Sequence, residues 1–210
     1  MRTPCESSLL SRVPVVPVVV VDDPAHAVPV ARALVAGGLP VIELTLRTPV
    51  ALDAIRAIAS EVPEILVGAG TIVTPGQAKE ALDAGAQFLV SPGSTPSLLG
   101  AMADTGLPFL PGTSTVSEVL TVLEAGFTEM KFFPAEASGG APWLKSIASP
   151  VPDARFCPTG GITAASAPGY LALPNVGCVG GSWLTPADVL ERGDWAAVEQ
   201  LARAAATLRA

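Results

Sequence analysis

Short runs of β-branched and large apolar residues recur along the chain, with segments of helical spacing between them. The runs are Val15 to Val21, Val41 to Thr45, Ile65 to Gly68, Phe88 to Val90, Phe109 to Leu110, Glu129 to Phe133, Arg155 to Cys157 and Val176 to Val179, eight in all. Alanine- and leucine-rich stretches such as Ala27 to Ala36, Leu52 to Ser60, Gln77 to Asp83 and Val116 to Glu124 separate them. Strands alternating with helices predict βαβ units and a parallel sheet. Eight such units in 210 residues predict an α/β fold, a (β/α)8 TIM barrel at the small end of its range.

The punctuation agrees. Helical stretches stop in glycine just before the next strand, at Gly37-Gly38, Gly85, Gly106 and Gly126. They start in hydroxyl-proline pairs, Thr48-Pro49, Thr74-Pro75, Thr95-Pro96 and Thr185-Pro186. Threonine caps free amides there, and proline fits the first helical position. No low-complexity linker divides the chain, so residues 1–210 read as one domain, with 1–12 a short N-terminal extension.

Composition then narrows the function. Twelve basic against 19 acidic residues leave a net charge of −7 and no basic cluster, which argues against nucleic-acid binding. Any anionic substrate must be caught locally, against the mean field. The longest apolar run, Val13 to Val21, is broken by Pro14 and Pro17 and is too short to span a bilayer. It lacks a signal-peptide cleavage pattern. Cys5, Cys157 and Cys178 have no CxxC spacing; the last two read as buried thiols in a reducing, cytoplasmic setting. His26 is the only histidine and reads as an exposed first-turn residue, so no zinc site and no metal-dependent chemistry are expected. Trp143, Trp183 and Trp195 read as packing groups.

The chemistry centres on Lys131, in the apolar run Met130-Lys131-Phe132-Phe133. Desolvating an ammonium is expensive, so burial favours the neutral amine, the form that makes Schiff bases with carbonyl substrates. The competing reading is a lysine that reaches solvent or simply pairs with a carboxylate. Strand alternation turns Glu43, Thr45 and Arg47 one way. Glu43 then enters the interior as an acid/base partner for Lys131, or as half of a structural ion pair with Arg47 or Lys131. Arg47 at the mouth suits fork-like recognition of a carboxylate, and Thr71 with its glycine-rich loop offers further donors.

Loops rich in glycine follow several strands: Gly68-Ala69-Gly70-Thr71, Pro158-Thr159-Gly160-Gly161 and Gly180-Gly181-Ser182 among them. Barrel active sites are built from such loops. The last two fall where amide-rich phosphate cradles occur after the final barrel strands. Tight turns alone are the alternative for these glycines.

Five segments stand out together: Glu43-Leu44-Thr45-Leu46-Arg47-Thr48, Val67-Gly68-Ala69-Gly70-Thr71, Met130-Lys131-Phe132-Phe133-Pro134-Ala135-Glu136, Phe156-Cys157-Pro158-Thr159-Gly160-Gly161-Ile162 and Val179-Gly180-Gly181-Ser182-Trp183-Leu184. In this order they resemble the KDPG/KHG aldolases. The resemblance covers the chain from about Val13 onwards. It implies a cofactor-independent class I aldolase, usually a homotrimer, that cleaves 2-keto-3-deoxy-6-phosphogluconate (KDPG) to pyruvate and glyceraldehyde 3-phosphate in the Entner–Doudoroff route. By motif, Lys131 matches the Schiff-base lysine and Glu43 the proton-transferring base. Arg47 and Thr71 match binders of the pyruvate carboxylate, and Phe133 a wall of that pocket. Gly160, Gly161, Gly180, Gly181 and Ser182 match the phosphate end, with Thr159 nearby. Relatives often carry a basic residue soon after strand one, where this chain has Asp22-Asp23. The alternatives are an aldolase for 4-hydroxy-2-oxoglutarate (KHG) or 2-keto-3-deoxy-6-phosphogalactonate, and a non-catalytic sugar-phosphate binding barrel.

Overall fold

The structure is a computed structural model that describes residues 8–208, so Cys5 and most of the expected N-terminal extension lie outside the described residues. The rest of that extension is not peripheral. A one-turn helix, α1 (Leu9–Arg12), buries Leu9 and Leu10 in the core. Ser8 Oγ donates to Glu129 Oε1 at 2.5 Å, and Leu10 packs on Gly177, where a side chain would collide with it.

Strand and helix then alternate: β1 (Val15–Val19), α2 (Ala27–Ala36), β2 (Val41–Thr45), α3 (Ala51–Glu61), β3 (Leu66–Gly70), α4 (Pro75–Asp83), β4 (Phe88–Val90) and α5 (Pro96–Asp104). The second half runs β5 (Phe109–Leu110), β6 (Gly112–Thr113), α6 (Val116–Glu124), β7 (Glu129–Phe132), α7 (Gly140–Ile147), β8 (Arg155–Pro158), α8 (Ala167–Leu171), β9 (Val179–Gly181), α9 (Ala187–Glu191) and α10 (Trp195–Ala206). A six-stranded parallel sheet has the order β5-β4-β3-β2-β1-β9, and a three-stranded one the order β6-β7-β8. Strand residues are buried nearly throughout, as expected when helices cover a parallel sheet. One apolar cluster runs from Leu9 to Ala205.

Two departures from the expected strands share a cause in proline and glycine. The fifth run, Phe109 to Leu110, forms β5 as expected, but strand pairing resumes as β6 beyond Pro111, which has no N–H to give a ladder. β5 pairs with β4 on one side of it and β6 with β7 on the other. The last strand is shifted: Val176 makes only an isolated bridge to Phe156, and β9 includes the Gly180-Gly181 pair expected in a loop. Those glycines pair in register with Val16 and Pro17 of β1.

The helix stops are as expected: Gly38, Gly85, Gly106 and Gly126 are all left-handed. The starts are half right. Thr74 and Thr95 accept amide N–H bonds as helix caps. Thr48 instead donates to the Val21 carbonyl at 2.6 Å, and α3 begins at Ala51. Thr185 does not cap α9 either. His26 is half-buried, with its ring edge-on to Trp195 at 5.3 Å. Trp143 stacks on Phe132 at 4.4 Å, a packing role.

Candidate active site

Lys131 and Glu43 meet inside the fold. Lys131 is 4% and Glu43 3% exposed, and Nζ lies 3.3 Å from Glu43 Oε1. Lys79 and Lys145 are exposed. The two partners come from different sheets: Glu43 sits in mid-β2, and Lys131 in β7 between Gly112 and Cys157. The Lys131 backbone is tied on both sides. Its N–H donates to the Pro111 carbonyl at 2.9 Å, and its carbonyl accepts from Thr113 Oγ1 at 3.2 Å. Removing two charges from water costs several kcal/mol per ion.

From this pair the expected residues follow one another in contact. Glu43 borders Gly70, the last residue of β3, and next to it Thr71 has a φ of +60°. It is the one positive-φ residue other than glycine among those described. A β-branched residue there is a genuine outlier, and such strain clusters at ligand sites. Arg47, exposed beyond the end of β2, donates Nε to Thr71 Oγ1 at 3.2 Å. That leaves its terminal guanidinium edge for a carboxylate. The alternative Glu43–Arg47 pair is not the one formed.

On the other side, Nζ stands 5.2 Å from the centre of the Phe133 ring, within cation–π range. Phe133 packs in turn beside Gly160. Gly160 and Gly161 have φ of +103° and +79°, so this loop needs glycine for its backbone whatever it binds. Buried Thr159 bridges to Gly180, and a side chain at Gly180 would lie 2.2 Å from Thr159 Oγ1. Gly181 likewise gives space to the Trp183 ring. Ser182 is exposed and opens a turn closed by the Thr185 N–H on its carbonyl at 3.3 Å.

Sequence reading missed two features here. One is the space at Gly70, whose signal was a glycine inside a strand. The other is Glu136, which accepts from Tyr170 Oη at 2.7 Å while packing beneath Gly161. Burial, then the Glu136 carboxylate, hold the Tyr170 phenol protonated well above its usual range. Asp22 and Asp23 are exposed, and Asp23 is engaged in accepting the Ala25 N–H at 2.9 Å. A cavity of about 230 Å³ lined by Arg32, Val35, Ala36, Glu61, Val62 and Glu64 lies at the other end of the strands and holds none of this chemistry. Among the described residues no three His, Cys, Asp or Glu side chains converge, and no helix is long and apolar enough to cross a membrane.

Fold and site define an α/β protein with a buried amine–carboxylate centre, flanked by Arg47, Thr71 and Phe133 just beyond the C-terminal ends of parallel strands. Residues 7–201 match the family model for KDPG and KHG aldolase, and the chain belongs to that family. The KHG/KDPG aldolase of Escherichia coli K12 is 57% identical over 198 residues, 94% of this chain and 93% of the relative. The KDPG aldolase of Legionella pneumophila, solved with pyruvate captured at low pH as a covalent carbinolamine intermediate, superposes with a TM-score of 0.92 at 44% identity over 94% of this chain and 96% of that one. The 2-keto-3-deoxy-6-phosphogluconate aldolase of Zymomonas mobilis ZM4, solved with 3-phosphoglycerate, gives a TM-score of 0.90 at 47% identity, covering 95% of this chain and 93% of the other.

Proposed function

We propose that this chain is a class I aldolase that cleaves 2-keto-3-deoxy-6-phosphogluconate to pyruvate and glyceraldehyde 3-phosphate, a carbon–carbon lyase acting through Lys131. The observation that carries this reading is the Lys131 Nζ to Glu43 Oε1 contact of 3.3 Å between two buried side chains. Glu43 takes one proton from Lys131, and the free amine adds to the C2 ketone, giving a carbinolamine. Glu43 returns the proton to the C2 hydroxyl, which leaves as water, and a protonated imine forms. Glu43 then removes the C4 hydroxyl proton. The C3–C4 bond breaks, its electron pair passes into the enamine, and glyceraldehyde 3-phosphate departs. Protonation of C3 and hydrolysis release pyruvate and restore Lys131. One carboxylate serves every step because each transfer reverses the one before.

Arg47 and Thr71 hold the pyruvate carboxylate, and Phe133 walls the pocket. Thr159, Gly160, Gly161, Gly180, Gly181 and Ser182 receive the phosphate end. The two sheets, joined at Pro111 and at the Thr159–Gly180 bridge, together make a closed (β/α)8 barrel that is one domain. The exposed apolar Val116 and Leu120 on α6 offer a face for a homotrimer, and we place the enzyme in the cytoplasm.

Borohydride reduction in the presence of pyruvate tests the reading. Mass is added to the peptide containing Lys131; a label on Lys79 or Lys145, or none, overturns it. KHG cleavage is the second reading, favoured by the double name of the Escherichia coli relative and by the acidic pair Asp22-Asp23 exposed after β1. Rates with the phosphogluconate, phosphogalactonate and KHG substrates rank the three.

A further inference from the structure

Gly70 ends β3 in an ordinary strand conformation, outside the positive-φ glycines. It pairs in register with Thr45, and its carbonyl accepts the Leu46 N–H at 2.8 Å. Nothing in its backbone calls for glycine, which is unfavourable inside a strand. Its surroundings do. A side chain at Gly70 would begin 2.1 Å from Glu43 Oε1, 2.6 Å from Cγ and 2.7 Å from Cδ. The first of these is the oxygen that faces Lys131 Nζ. The overlap reaches the stem of Glu43 as well as its tip, so turning the carboxyl alone does not relieve it.

We propose that Gly70 is a positioning residue for proton transfer: the space left by its missing side chain holds the Glu43 carboxyl against Lys131. This rests on the reading of Glu43 as the proton carrier. Gly68, two residues earlier in the same strand, makes room for a packing group, the Phe88 ring. Gly70 makes room for a reacting one. Filling the slot drives the carboxyl from the amine while the residues assigned to the pyruvate carboxylate, Arg47 and Thr71, keep their places.

The test is a two-by-two set: wild type, Gly70→Ala, Glu43→Ala and the double variant. Gly70→Ala is expected to lower kcat for cleavage about 10²-fold, the cost of a misplacement near 1 Å, with KM little changed. The limb of its kcat–pH profile that reports Glu43 moves. In the Glu43→Ala background the same alanine has nothing to strike, so it adds no further loss of kcat and no loss of Tm. Wild-type kcat and pH profile in Gly70→Ala overturn the proposal, and so does an equal penalty in both backgrounds. If Gly70→Ala does not fold, melting decides: recovery of folding in the double variant supports the slot, and failure of both refutes it. Pyruvate trapping on wild-type Lys131, run alongside, separates failure of the slot from failure of the aldolase reading.

Discussion

A buried lysine and glutamate 3.3 Å apart carry the proposed reaction, and each is open to a decisive substitution. Glu43→Gln keeps the shape but cannot carry protons, so kcat should fall by about 10²–10⁴, the usual worth of general acid–base catalysis. Steady-state cleavage assays measure it, and a loss under about tenfold would remove Glu43 from the proton path. Both residues were legible in the sequence because charges inside apolar strand runs stand out against their neighbours. Arg47 lies beyond the end of β2, so strand alternation did not place it; its role was legible from its position after the strand and from the family motif. The left-handed backbone of Thr71 and the slot at Gly70 were not, because both depend on what another strand places alongside. Glu136 was hidden for the same reason: its partner, Tyr170, lies 34 residues away.

At the scale of elements, the helix boundaries show how far local signals reach. Glycine stops were readable because a left-handed turn is a property of the residue itself. Threonine starts were readable only in part: Thr74 and Thr95 cap their helices, but Thr48 turns to the Val21 carbonyl of a neighbouring segment. The reciprocal cap of α6, unmarked by proline, is the best satisfied. Glu118 Oε2 accepts from the Ser114 and Thr115 N–H groups at 2.8 Å each, and from both their hydroxyls. Partial burial pushes this carboxyl up, but the hydrogen bonds outweigh it and hold the group below its ordinary value. Its stabilisation is therefore fully present above the unfolded value, near pH ~4.3, and disappears as pH falls through the lower folded value. Glu118→Ala should lose about 1 kcal/mol at pH 7, roughly 2–4 °C in Tm. Melting curves taken at neutral pH and below the carboxylate range check this. The gap should narrow in acid, and a constant gap would exclude the ionised cap.

Across the whole molecule, the alternation of strands and helices and their parallel order were written in the sequence. The seams were not, because Pro111 and Gly180-Gly181 looked like loop residues until their strand partners were known. Net charge also acts at this scale. With −7 overall, and Asp22 exposed just after β1, a phosphorylated substrate approaches against the protein's mean field. Asp22→Asn should lower KM for the phosphorylated substrate by about two- to fivefold, as expected from one exposed charge. Added salt should shrink the difference, and an unchanged KM at low salt would show the tail passes elsewhere. The amine and its acid stand on separate sheets, 88 residues apart in the chain. The six-stranded sheet that carries Glu43 is itself completed only by β9, the last strand of the chain. The paired centre is therefore a product of the whole fold, and no contiguous fragment shorter than the span from β2 to β7 holds both of its charges.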